Sequence, residues 1–127
     1  MAKHECEAAS LFPELARGVA IELQLWADEP ASLAELRAGV DEHTRQLFAD
    51  AVVNEAIDLD TTRELQRRSH ALLDRFERSG EEQSRWIRGA VRYFIESNDA
   101  SSDFVEGGLE DDRAVMDAVE RWLGGEE

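Results

Sequence analysis

Cysteine occurs once in the chain, at Cys6, so no internal disulfide can form and a reducing compartment is the expected setting. Proline occurs twice, at Pro13 and Pro30, which leaves the stretch after residue 30 free of helix breakers of that kind. No run approaches the roughly 18 apolar residues of a membrane span. The opening Met1-Ala2-Lys3-His4-Glu5-Cys6-Glu7 has no apolar stretch behind a basic start, so no secretory leader is expected. The expectation is a soluble, cytoplasmic protein. Alternating β-branched runs are also missing, which removes support for strands. Lysine is nearly absent: of 14 basic residues only Lys3 is not arginine.

Acid is abundant. The 29 acidic residues give a net charge of −15, which disfavours nucleic acid and anionic membranes as partners, since both need a basic footprint. Acid excess with almost no lysine points to a halophile's high-salt cytoplasm, where dense carboxylates keep a protein dissolved; a genome rich in arginine codons is the alternative. The charge is uneven. Residues 63–92 carry a net +3, so the rest of the chain carries −18. Residues 93–112 hold seven acids and no base. Pairing of arginine with carboxylate inside one domain is the expected use of both groups.

With 127 residues the chain is long enough for one domain with its own core. Apolar residues recur at helical spacing throughout. A first helix is expected over about 10–27, with Pro13 in its first turn, where a missing N–H costs nothing, and Leu15, Val19, Leu23 and Trp26 facing inward. Ser32-Leu33-Ala34-Glu35 has capping-box form and opens a second helix reaching about Ile57, with a break expected near Gly39. Thr61-Thr62-Arg63-Glu64 and Ser79-Gly80-Glu81-Glu82 read as two more capping boxes. They open helices carrying Leu65, Leu72, Leu73 and Phe76, then Trp86, Ala90, Val91, Phe94 and Ile95. A last helix is expected over about 109–123. The fold class is all-α: a single-domain bundle or orthogonal array of about five helices, N-terminal helices over about 10–78 and a helix-loop-helix over about 81–123.

The most distinctive stretch runs from Tyr93 to Asp112. Four aspartates, Asp99, Asp103, Asp111 and Asp112, surround Gly107-Gly108. Carboxylates around a turn are candidate ligands for Mg²⁺ or Ca²⁺. The spacing is not that of an EF-hand. The competing reading is structural: Asp111 or Asp112 satisfies the start of the last helix, and the aspartates pair with Arg88 and Arg92, which share one face of the preceding helix with Arg85. No catalytic residue stands out. P-loop, Rossmann and Gly-x-Ser-x-Gly patterns are missing. His43 and His70 lack zinc-site spacing, and Asp74, one turn after His70, is expected to form a surface pair with it.

Tyr93, Asp99, Asp103, Gly108, Leu109 and Asp111-Asp112 together resemble the YkvA-like family, a domain of unknown function, over about residues 85–123. That family shows a helical tyrosine, aspartates spaced through a proline-containing segment, a glycine and an Asp-Asp pair opening the next helix. Ser97, Ser102 and Glu106 stand where the family favours proline, and Phe104-Val105-Glu106-Gly107 is more polar than the family's spacer. The resemblance implies a helical fold and no particular activity. Three functions are compatible with these readings: a binding or protein-interaction module with an Asp-rich loop, a metal-dependent enzyme using the loop aspartates, and a structural homo-oligomer subunit. A homodimer with an apolar contact is expected from the three tryptophans and five phenylalanines, some of which are expected on a shared face.

Overall fold

The computed structural model describes residues 6–96 and 109–126. Among them are six helices and no strand: α1 (Glu7–Leu11), α2 (Arg17–Ala27), α3 (Leu33–Ala51), α4 (Leu59–Asp74), α5 (Glu81–Glu96) and α6 (Glu110–Glu126). No helix among the described residues is long and apolar enough to cross a membrane. The protein is all-α, as its periodicity predicts.

The expected first helix is two helices. A proline disfavours helical backbone in the residue before it, and Phe12 leaves the helix with φ −126° and ψ 68°. Pro13 therefore sits in the turn between α1 and α2 and not in a first helical turn. The Phe12 N–H still bonds the Ala8 carbonyl at 2.8 Å, and the Leu15 N–H returns to the Phe12 carbonyl at 3.0 Å. The break aims both Phe12 and Leu15 into the core. Gln24 of α2 ties the two pieces together. Its Oε1 accepts from the Ala8 N–H at 2.9 Å and from Cys6 Sγ at 3.2 Å, satisfying an N–H at the start of α1 that no helical carbonyl can reach.

The box at Ser32 forms in both directions: the Glu35 N–H bonds Ser32 Oγ at 3.1 Å and the Ser32 N–H bonds Glu35 Oε1 at 2.9 Å. The other two boxes do not form as expected. Asp58 is the cap of α4, accepting from the Thr61 N–H at 3.1 Å and the Thr61 hydroxyl at 2.7 Å. These bonds, the hydroxyl first, hold the Asp58 carboxyl below its usual range. A carboxylate three residues ahead outcompetes the threonine for the same free N–H groups. Ser79 turns its hydroxyl back onto the Arg75 carbonyl at 2.6 Å, and α5 instead opens with Gly80, whose carbonyl accepts from the Ser84 N–H at 2.8 Å. The expected break at Gly39 does not occur; α3 runs through it, and Ile95 of α5 packs against the glycine.

One apolar core draws on all six helices. Its centre is α5, which packs against α2, α3, α4 and α6 and buries Trp86, Ile87, Ala90, Val91, Tyr93 and Phe94. Each large side chain fully withdrawn from water contributes about 1.5–3 kcal/mol before entropy is charged against it. Phe12 meets two tryptophans edge to face, Trp86 at 5.3 Å and Trp122 at 6.0 Å between ring centroids. Helices α2 and α5 approach closely where Gly89 lies directly against Ala27.

Candidate functional site

Among the described residues, the arginine stripe of α5 finds partners for all three of its side chains at the C-terminal end of α2, with further contacts to α1 and to α5 itself. Arg85 bonds Asp28 at 2.7 Å and Glu7 at 2.8 Å, with its guanidinium over the Trp86 ring. Arg88 donates from Nε to the Ala27 carbonyl at 2.9 Å, and its Nη2 donates to the same oxygen. Arg92 lies over Trp26, 4.9 Å from the ring centroid, and faces Glu29 at 3.9 Å and Glu96 at 3.5 Å. The reason is electrostatic. The end of α2 carries the negative pole of the helix dipole and no basic residue in its last turn, so the cations come from the neighbouring helix. Burial lowers the proton affinity of Arg88, and Asp28 opposes that effect.

Asp99 and Asp103 lie outside the described residues. Asp111 and Asp112 fall in the first turn of α6 behind Leu109, whose carbonyl accepts the first helical bond, from the Arg113 N–H at 3.0 Å. Asp111 is exposed, whereas Asp112 is 2% exposed. Among the described residues no group of three or more His, Cys, Asp or Glu side chains is placed to hold a metal ion. The two neighbours therefore have different expected costs. In buffer containing chelator, Asp112→Ala should lose about 1–2 kcal/mol, the cost of disturbing a buried polar group at the start of a helix. Asp111→Ala should stay within about 0.5 kcal/mol of the parent. Urea titration of both variants checks this. A Ca²⁺- or Mg²⁺-induced melting shift in the parent that Asp112→Asn abolishes would put the metal reading in its place.

Elsewhere the charged groups join helices. Arg68 of α4 reaches across to Asp117 at 2.5 Å and Glu120 at 2.7 Å on α6 while holding Glu64 at 3.1 Å. His70 joins α4 to α3. Arg37 Nη1 contacts Nδ1 at 2.9 Å, and because a guanidinium only donates, Nδ1 is the acceptor. The ring proton then sits on Nε2 and goes to Asp41 Oδ1 at 2.8 Å, a bond that holds the Asp41 carboxyl below its usual range. Asp74 bonds Arg37 at 2.7 Å, so the expected His70–Asp74 pair is bridged by an arginine from α3.

The feature that the apolar spacing did not reveal is the outer face of α2. Ala20, Leu23 and Ala27 are buried, but Ile21 is 42% and Leu25 65% exposed. With Gly18 and the edge of Trp26 they line a surface groove of about 760 Å³, bounded by Glu22, Glu29 and Glu96. Glu22 also accepts from Trp26 Nε1 at 3.2 Å, which fixes the indole along the groove wall. A second depression of about 340 Å³ continues past Glu29 and Glu96 toward Glu35, Arg92 and Ile95. The signal was present in the sequence: residues 19–27 are apolar at Val19, Ala20, Ile21, Leu23, Leu25, Trp26 and Ala27, too many for one inward stripe. Among the described residues the exposed large apolar side chains are Ile21, Leu25, Val52 and Val53. Of the described aromatics, Phe12, Trp86, Tyr93 and Phe94 fill the core, and Trp26, Phe48, Phe76 and Trp122 are half-buried.

No protein-family model, curated protein or solved structure matches the chain.

Proposed function

We propose that the protein is an interaction module whose outer α2 face receives a protein partner. The observation that carries this reading is the pair Ile21 and Leu25, one helical turn apart, held exposed on a helix whose opposite side is locked into the core. Exposed apolar surface of this kind is retained against its cost to solubility when something covers it. Arg85, Arg88, Arg92 and His70 have described partners within the fold. A homodimer through the same face is the competing arrangement. It would bring Glu22, Glu29 and Glu96 of one copy toward those of another, with −15 on each chain.

The test is position-specific photo-cross-linking in the native host cell. A photoreactive residue replacing Leu25 is expected to give discrete adducts. The same residue replacing Gln46, exposed on α3, is expected to give none of them. Identical products from both positions, or none from position 25, would end the reading.

A further inference from the structure

We infer that the partner of the α2 face is a basic amphipathic helix; this rests on the interaction-module reading above. Three observations on the groove converge on that chemistry. The first is its wall. It is built from helix surfaces, whose backbone N–H and C=O groups are already bonded along α2 and α5. An extended peptide laid there would find no sheet edge to pair with and would leave its own backbone without partners. A helix brings its backbone bonds with it and needs only an apolar stripe. Ile21 and Leu25, with Gly18 one turn before them, offer the complementary stripe: a Cβ built at Gly18 meets nothing within 4 Å, so the groove floor is open at that end.

The second observation is the sign of the rim. Glu22, Glu29 and Glu96 flank the apolar centre, and Glu35 lines the adjoining depression. The cation there, Arg92, is half-buried against Trp26. A partner carrying acid would meet repulsion at each edge, while lysines or arginines flanking an apolar stripe would meet carboxylates.

The third is the state of those carboxylates. The Glu29 and Glu96 contacts to Arg92, at 3.9 Å and 3.5 Å, are longer than hydrogen bonds, and the two side chains are 56% and 41% exposed. Both retain accepting capacity for an incoming cation, in contrast to Asp28, which Arg85 holds at 2.7 Å. The second copy of this chain is the poorer occupant for the same reason: its own α2 face is rimmed by acid.

The experiment uses the full chain and three designed peptides of about 18 residues, long enough for five helical turns. One is a Leu/Lys amphipathic helix, one its Leu/Glu counterpart, and one a Leu/Lys scramble of equal composition without an apolar face. Binding is followed by fluorescence anisotropy of labelled peptide at about 0.15 M salt, where non-specific attraction is screened beyond about 8 Å. The Leu/Lys helix is expected to bind saturably at one per chain, with the other two at least about tenfold weaker, a difference of about 1.4 kcal/mol. Leu25→Glu and Gly18→Trp should each weaken it at least about tenfold while keeping the parent's melting temperature, since neither side chain belongs to the core. Glu29→Arg should weaken it by a smaller factor and flatten the salt dependence. Equal binding of the scramble, or unchanged binding by Leu25→Glu, would overturn the inference. So would a dimer in light scattering that Leu25→Glu converts to monomer, because the second copy would then be the occupant. Specific cross-links at position 25 together with failure of the Leu/Lys helix would remove the partner class and leave the interaction module standing. Loss of the cross-links would remove both.

Discussion

Phe12→Ala is expected to remove about 4 kcal/mol of stability, a large part of the roughly 5–15 kcal/mol that a domain of this size has to lose. Phe12 is fully buried although it lies in a turn, and it is the ring that joins Trp86 of α5 to Trp122 of α6. Truncation leaves a cavity between three helices and removes two edge-to-face pairs, each worth about 0.5–1.5 kcal/mol beyond area. The backbone around it cannot collapse easily, because Pro13 fixes the turn and Gln24 holds the start of α1. Phe12→Leu keeps most of the volume and should cost about 1–2 kcal/mol. Urea unfolding followed by tryptophan fluorescence measures both. A Phe12→Ala variant within about 1 kcal/mol of the parent would show that the turn residue does not join the helices as described. Hydrogen exchange should in addition show α1 losing protection before the rest, since its described tertiary ties run through Phe12, Gln24 and the Glu7–Arg85 pair.

The second large effect concerns two glycines that look alike in sequence. Both lie inside helices, where alanine is favoured by about 0.8–1.0 kcal/mol. At Gly89 a Cβ would stand 2.8 Å from Ala27 Cβ and 3.1 Å from Ala27 Cα. The second contact is with backbone, so the helices themselves must part, and the Arg88 bond to the Ala27 carbonyl must stretch with them. Gly89→Ala should therefore lose about 1–2 kcal/mol net of its propensity gain, and Gly89→Leu should exceed about 4 kcal/mol and abolish a cooperative transition. At Gly39 the near contact, 2.8 Å, is with Ile95 Cδ1, the tip of a half-buried side chain, and the next atoms are 3.5 Å away. That side chain can rotate aside. Gly39→Ala is expected to be neutral or to gain up to about 1 kcal/mol. Melting curves of the two alanine variants should shift in opposite directions; equal shifts would mean that the α2–α5 approach is not as tight as described.

Much of the fold was legible because periodicity and local caps agree in the middle of the chain. Ser32 and Glu35 form the reciprocal bonds their spacing predicts, and Trp86, Ala90, Val91 and Phe94 are buried as a helical stripe should be. The misplaced starts have two causes: one cap lost its free N–H groups to a competitor, and the other spent its hydroxyl on a carbonyl. Asp58 won against Thr61, and the Ser79 hydroxyl found the Arg75 carbonyl first. Pro13 could have been read either as a helix start or as a break; Phe12, apolar and just ahead of it, belonged in the core, and only the break puts it there. The site was less legible than the fold. The arginines at 85, 88 and 92 were recognised as a face, but a face does not name its partner, and an uncharged helix end such as Ala27 leaves no trace in composition. The outward side of α2 was hidden by its inward side, since both are apolar.

The ladder of α5 arginines on the end of α2 spans 57 residues of chain from Asp28 to Arg85 and 61 from Ala27 to Arg88. During synthesis, the N-terminal helices leave the ribosome long before the residues that clamp them exist. At about 5–20 residues per second the interval is on the order of 3–12 s. For that time α2, apolar on both sides, has neither its core partner Gly89 nor its capping cation Arg88. The last helices thus decide when the first ones become safe from misassociation, and a chain stalled before residue 81 would leave the inner face of α2, Ala20, Leu23 and Ala27, uncovered by α5 along with the outer one.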